Sequence, residues 1–284
     1  MRVNLKHFMG RADICDDGAA PAGETYQAPQ APGAFSPEVR ARGIAKAERL
    51  LLQGKTWRYL RYLHMREYIS AIAHEIETVC VCGAGHGIAE YLVAAEFPHL
   101  QVTLTDIVDR KHGYPNYHGA MELSWAYGVD NLHFSIWNVT NESRRSFDLV
   151  CSTEMLEHIE QDERAAENMC KASKSYVYCM VPYADKATNA DPQRRAKVKE
   201  KNEHFVCGYD EDDLAHLFPK PVRMSGAYWQ DVGMKWRNDI ATLSSGEIDA
   251  QAEHLKKRAD DDLRDALPER FPQCYGIKVL SRVR

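Results

Sequence analysis

The 284-residue chain has no run approaching the ~18 apolar residues that a membrane-spanning helix needs, so no membrane partner is expected. Arg2 and Lys6 are not followed by an apolar stretch, so no secretory signal is expected either. None of the eight cysteines forms a C-x-x-C pair, which removes the basis for a zinc ribbon. Four of them, Cys80, Cys82, Cys151 and Cys179, fall inside apolar runs, where a reduced thiol behaves as a small hydrophobe. A reducing, cytoplasmic location is therefore expected. Basic residues are in deficit: 36 Lys and Arg against 41 Asp and Glu give a net charge of −5. That excludes a broad basic footprint and makes nucleic acid an unexpected partner. The basic run RRAKVKEK at 194–201 reads as a solvated loop or helix. Internal repeats are absent.

What is present is an alternation of strand and helix. Residues 1–36 read as an arm, rich in Ala, Pro, Gly and Asp from residue 11. A helical cap is expected at 37–76, broken near Gly54. Its Trp57, Tyr59, Tyr62 and Tyr68 either pack the cap or partly line a pocket. From residue 77 onward the pattern predicts an α/β domain. Strands are expected at 78–82, 101–106, 131–137, 147–152, 174–182, 222–229 and 274–283, with helices at 86–96, 117–127, 162–172 and 210–218. Such alternation implies a mainly parallel sheet covered on both faces. An insertion at 231–270 carries Ile248, Ala252, Leu255, Ala259, Leu263 and Leu267 on one helical face. That face suits a lid, a homodimer surface or ordinary packing.

The first chemical signal is VCVCGAGHG at 79–87, a buried strand running into glycines at alternate positions. Such a turn lets the backbone approach a ligand closely. Asp106 ends the next strand about 20 residues on, where an acid can accept hydrogen bonds from ribose hydroxyls. The spacing G-x-G-x-G differs from the dinucleotide G-x-G-x-x-G, and no Lys-Ser/Thr follows to make a phosphate loop.

With FDLVCSTEMLEHI at 147–159, these elements resemble the class I S-adenosylmethionine-dependent methyltransferases over about residues 75–230 and the final strand. The resemblance implies a Rossmann-like sheet of about seven strands with the last antiparallel and helices on both faces, to which the segment pattern adds the N-terminal cap and an inserted helix before the last strand. It also assigns roles. Gly83, Ala84, Gly85 and Gly87 would contact the methionine part of S-adenosylmethionine. Asp106 would take the ribose, and Ile107 would pack on adenine. Asn138, following Trp137, would meet the adenine amino group. Cys151, Ser152 and Thr153 would lie near the methionine and the acceptor. The family commonly places an acid two residues before the first glycine, where this chain has Val81.

Glu154, Glu157 and His158 form E-x-x-E-H at an expected helix start, which would put all three on one face. His204, in NEHFVCGYDEDDL, would hang over the same sheet edge. In most of the superfamily L-E-H-I orients loops. E-x-x-E-H with a downstream histidine is nevertheless similar to two metal-dependent groups, the ubiquinone-pathway O-methyltransferases and the small-RNA 3′-terminal ribose 2′-O-methyltransferases. Two readings stay open. Glu154, Glu157, His158 and His204 bind Mg²⁺, Mn²⁺ or Zn²⁺, or His158 or His204, with Glu157 beside them, serves as general base without metal. The expected function is methyl transfer to a small-molecule acceptor, at a hydroxyl. The rivals are an RNA or protein methyltransferase and a non-catalytic cofactor-binding protein. The absence of N-P-P-Y disfavours amino methylation of DNA bases.

Overall fold

The computed structural model describes residues 26–27, 36–54, 56–107, 116–227, 246–247, 250, 252–257 and 276–283. Eight strands form one sheet: β1 (Tyr26–Gln27), β2 (Thr78–Cys82), β3 (Gln101–Asp106), β4 (Leu132–Ile136), β5 (Phe147–Thr153), β6 (Ser173–Pro182), β7 (Pro221–Ala227) and β8 (Gly276–Arg282). Their spatial order is β1-β4-β3-β2-β5-β6-β8-β7. β2 to β6 are mutually parallel, and β8 runs antiparallel to both β6 and β7. The strand order reverses at β2, so its carboxyl end and that of β5 open on the crevice where such sheets bind ligands.

β2 shows why the sheet is buried twice. Its side chains alternate faces, as any strand requires. Val79 and Val81 enter one core, and Cys80 and Cys82 enter the other. The first core is roofed by α1 (Pro37–Gly54), α2 (Thr56–Ile72), α3 (Ile88–Glu96) and α4 (His118–Tyr127). The second holds α5 (Asp162–Ala172) and, after α6 (Lys186–Ala190) and α7 (Pro192–Asn202), α8 (Glu211–Leu217). Gly54 ends the first cap helix, where the break was expected. Tyr59, Tyr62 and Tyr68 are almost wholly buried and pack the cap, and Tyr62 also lines a cavity over the glycine turn. Tyr68 also hydrogen-bonds Ser225 on β7 at 2.9 Å, tying the cap to the far edge of the sheet.

Two expectations change, while the basic run takes one of the two forms expected of it. Within the expected arm, Tyr26–Gln27 adds a short antiparallel edge strand to β4. The basic run lies within α7, a helix with no buried residue, whose N-cap Asp191 accepts from the backbone of Gln193 and Arg194. The segment TEMLEHI does not begin a helix that leads into α5. Glu154 takes a left-handed φ of 53°, and only a single 3₁₀ turn follows, at Leu156–His158. Of the insertion, residues 252–257 are helical, with Ala252 and Leu255 buried in the first core. Ordinary packing accounts for those two residues. Ile248, Ala259, Leu263, Leu267 and the loop at 108–115 lie outside the described residues.

Candidate active site

The glycine turn is built by the backbone. Gly83, Gly85 and Gly87 all have positive φ, and two of them could not be replaced freely for a further reason. A Cβ on Gly83 would lie 2.7 Å from Met155, and one on Gly87 would lie 2.7 Å from both Leu104 and Ala120. The amide of Ala84 donates to Thr105 O at 3.2 Å, and that of Gly85 donates to Asp106 Oδ2 at 2.8 Å. The acid at the end of β3 thus fixes the turn. Its other oxygen, Oδ1, accepts from the amide of Ile107 at 2.8 Å. Ile107 is 56% exposed, an unusual state for a large apolar residue and one suited to covering a flat ring.

A cavity of about 490 Å³ opens over this turn. Gly83, Ala84, Gly85, Gly87 and Thr153 line it, together with Glu154, His158 and His204. Cys151 and Ser152 are fully buried within the sheet, and Ser152 donates to Cys179 Sγ at 3.4 Å. Trp137 donates from its indole to Asn141 O at 2.9 Å, and the Asn138 side chain accepts from the amide and hydroxyl of Thr140. Those bonds hold the segment after β4 as a closed turn. The lining also includes His86 within the glycine turn, and four residues that the sequence did not single out: Arg58 and Arg61 from α2, Glu90 from α3, and Asn202 from α7. A charged residue among apolar neighbours, as in IAEYLVAA, was the one available signal for Glu90.

The E-x-x-E-H side chains divide into two sets. Glu157, His158 and His204 bring ligand atoms to within 4.8 Å of one another. Glu154, with its left-handed backbone, stands outside that group and approaches Arg61 at 4.0 Å. The cluster is held from both sides. α7 stops at Glu203, whose φ of 62° turns His204 back toward the sheet edge. The amide of Phe205 then donates to Glu157 O at 2.7 Å, stapling the His204 loop to the 3₁₀ turn. The imidazoles of His158 and His204 stand edge to face, with ring centres 4.5 Å apart.

The electrostatics favour a cation. Glu157 is wholly buried, and neither of its carboxylate oxygens has a hydrogen-bond partner. Glu154 Oε1 and His204 Nδ1 are likewise buried without one. Burial, and secondly the charge of Glu154, push the Glu157 carboxyl well above the ordinary range. Burial also lowers His204 to about 4, helped by His158, and lowers His158 as well. Both imidazoles are therefore neutral near pH 7, with lone pairs available to a ligand. A buried carboxylate with no partner is costly unless a positive charge compensates it.

Sheet order, glycine turn and the acid at the end of β3 are those of a class I S-adenosylmethionine-dependent methyltransferase. The chain belongs to the methyltransferase-domain family, whose model matches residues 54–220. It is 28% identical over 193 residues to the ribosomal RNA small subunit methyltransferase G of an Exiguobacterium species, covering 63% of this chain and 72% of that protein. Among solved structures, it superposes on a candidate sarcosine dimethylglycine methyltransferase from Galdieria sulphuraria with a TM-score of 0.53 at 12% identity, covering 78% of this chain and 86% of the other. It superposes on a coclaurine N-methyltransferase bound to N-methylheliamine and SAH with the same TM-score, 0.53, at 14% identity, covering 78% and 72% of the two chains. At these identities the structural likenesses speak for the fold.

Proposed function

We propose that this chain is a metal-assisted O-methyltransferase that transfers the methyl of S-adenosylmethionine to a hydroxyl of a small-molecule acceptor. One observation carries the reading: Glu157, His158 and His204 converge around a carboxylate that is buried without a hydrogen-bond partner. The donor set of one carboxylate and two neutral imidazoles suits Mn²⁺ or Zn²⁺ better than Mg²⁺, which prefers an oxygen-rich set. A divalent ion held there supplies Lewis acidity that lowers the pKa of an acceptor hydroxyl.

The protein's own residues do the rest. The sulfonium already makes the methyl a good electrophile, so alignment and exclusion of water dominate catalysis. Thr153 and the glycine turn line the same cavity as His158, His204 and Asn202, so a cofactor on the glycines would share it with an acceptor near the imidazoles. Arg58 and Arg61, from the cap, also line it. The volume of about 490 Å³ lies in the range of small-molecule sites.

A second reading has its own support. α7 carries Arg194, Arg195, Lys197, Lys199 and Lys201 in a helix with no buried residue, and it ends at the cavity residue Asn202. An RNA acceptor would find a basic approach there, and a relative named as a ribosomal RNA methyltransferase is in keeping with it.

The test is methyl transfer from methyl-labelled S-adenosylmethionine to a panel of small vicinal diols and phenols, and to short RNAs. Each is run with chelator and after Mn²⁺, Mg²⁺ or Zn²⁺ is restored. The reading expects label in a small hydroxylic acceptor, loss with chelator and no recovery in His204→Ala. Label in RNA that weakens steeply with salt would replace the acceptor with a polyanion. Turnover indifferent to chelator would refute the metal.

A further inference from the structure

Glu90 is the third residue of α3, in the first turn after the glycines. It is only 4% exposed, and it lines the same cavity as Gly83, Gly85 and Gly87. The strand before the glycines offers no acid of its own, since Val81 is buried in the apolar core. S-adenosylmethionine brings a primary ammonium to this region, and an ammonium buried without an anion is as costly as a buried carboxylate without a cation. Of the carboxylates lining the cavity, Glu154 approaches Arg61 to 4.0 Å, and Glu90 is the one on the helix that follows the glycines directly. Burial raises the Glu90 carboxyl to about 7, with its own backbone amide and then the charge of Arg61 pulling the other way and Asp106 adding to the rise.

We propose that Glu90 is the binding residue for the ammonium of the cofactor's methionine part, supplying from α3 the negative charge that β2 lacks. The inference rests on the family's cofactor and not on the metal reading. The alternative role for an acid in a first helical turn is to complement the helix dipole, which affects folding but not ligand choice. Ligand choice therefore separates the two.

The experiment is calorimetric titration of the wild-type chain and Glu90→Gln with S-adenosylhomocysteine and with 5′-methylthioadenosine, which keeps the nucleoside but lacks the amino-acid part. Loss of a charge-assisted hydrogen bond predicts that Glu90→Gln binds S-adenosylhomocysteine at least about tenfold more weakly, with 5′-methylthioadenosine changed by less than about twofold. Equal losses for both ligands, or no loss for either, would overturn the assignment. Should the variant fold poorly, wild type is titrated with the analogue of S-adenosylhomocysteine that lacks only the amine. A loss of at least about tenfold supports an anionic partner, and an unchanged affinity refutes it. Binding of 5′-methylthioadenosine by wild type checks the nucleoside site independently.

Discussion

Replacing Glu157 with methionine isolates what the buried carboxylate costs. The substitution keeps length and removes two oxygens that are buried without hydrogen-bond partners. Each such group costs roughly 1–3 kcal/mol, more when charged, and Glu157 has no exposure over which water could screen it. Removing it should therefore stabilise the metal-free protein by about 1–3 kcal/mol. For a domain of this size that is a rise in Tm of about 2–6 °C. The assay is thermal unfolding followed by circular dichroism, first in chelator and then with Mn²⁺ or Zn²⁺ at increasing concentration. Wild type should gain stability as the ion is added, by about 2.7 kcal/mol at a hundredfold excess over Kd. The variant should start higher, gain little and transfer no methyl groups. A variant that melts lower than wild type in chelator would show that Glu157 has a structural role, and the argument from its isolation would fail. An unchanged response to metal would refute its place among the ligands.

Other outcomes follow from the same geometry. Glu90 has a folded-state pKa raised to about 7 by burial, with Arg61 and Asp106 acting on it in opposite senses, so folding takes up a proton and stability falls as pH rises from about 4.5 to 7. Glu90→Gln should accordingly be more stable than wild type at pH 8, by roughly 3 kcal/mol in the ligand-free protein, with the gap closing toward pH 5; a pH-independent difference in melting temperature would contradict this. Gly87→Ala places a Cβ 2.7 Å from Leu104 and Ala120 at a φ of +72°, and should cost about 2–5 kcal/mol in denaturant unfolding. Asp106→Ala removes the acid proposed to take the ribose and the acceptor that orients Gly85, and should weaken S-adenosylhomocysteine at least about tenfold by calorimetry.

The legible parts of the sequence were those with a strong local cause. TVCVC reads as a buried strand because both faces are apolar and glycines end it. Asp106 reads as a ligand-facing acid because it follows a second such strand, and the pairing of β2 with β3 places it beside the turn. The α6–α7 pair was hard to see because α7 has no apolar face from which a period could be read. The E-x-x-E-H spacing suggested one helical face. The left-handed backbone at Glu154 and the 3₁₀ turn after it instead leave Glu157 and His158 to meet His204 and turn Glu154 toward Arg61. Arg61 and Glu90 belong to helices far apart in sequence and become neighbours only when the cap folds over α3. No pattern within either segment announces that meeting.

The central claim is that Glu157, His158 and His204 hold a divalent ion beside the cofactor. Its most direct test is anomalous diffraction at the manganese and zinc edges from crystals grown with S-adenosylhomocysteine and each metal. The account predicts a single strong anomalous peak within bonding distance of Glu157, His158 and His204 while S-adenosylhomocysteine lies over the glycine turn. Bound S-adenosylhomocysteine with no anomalous density among those three side chains, for either metal, would contradict it.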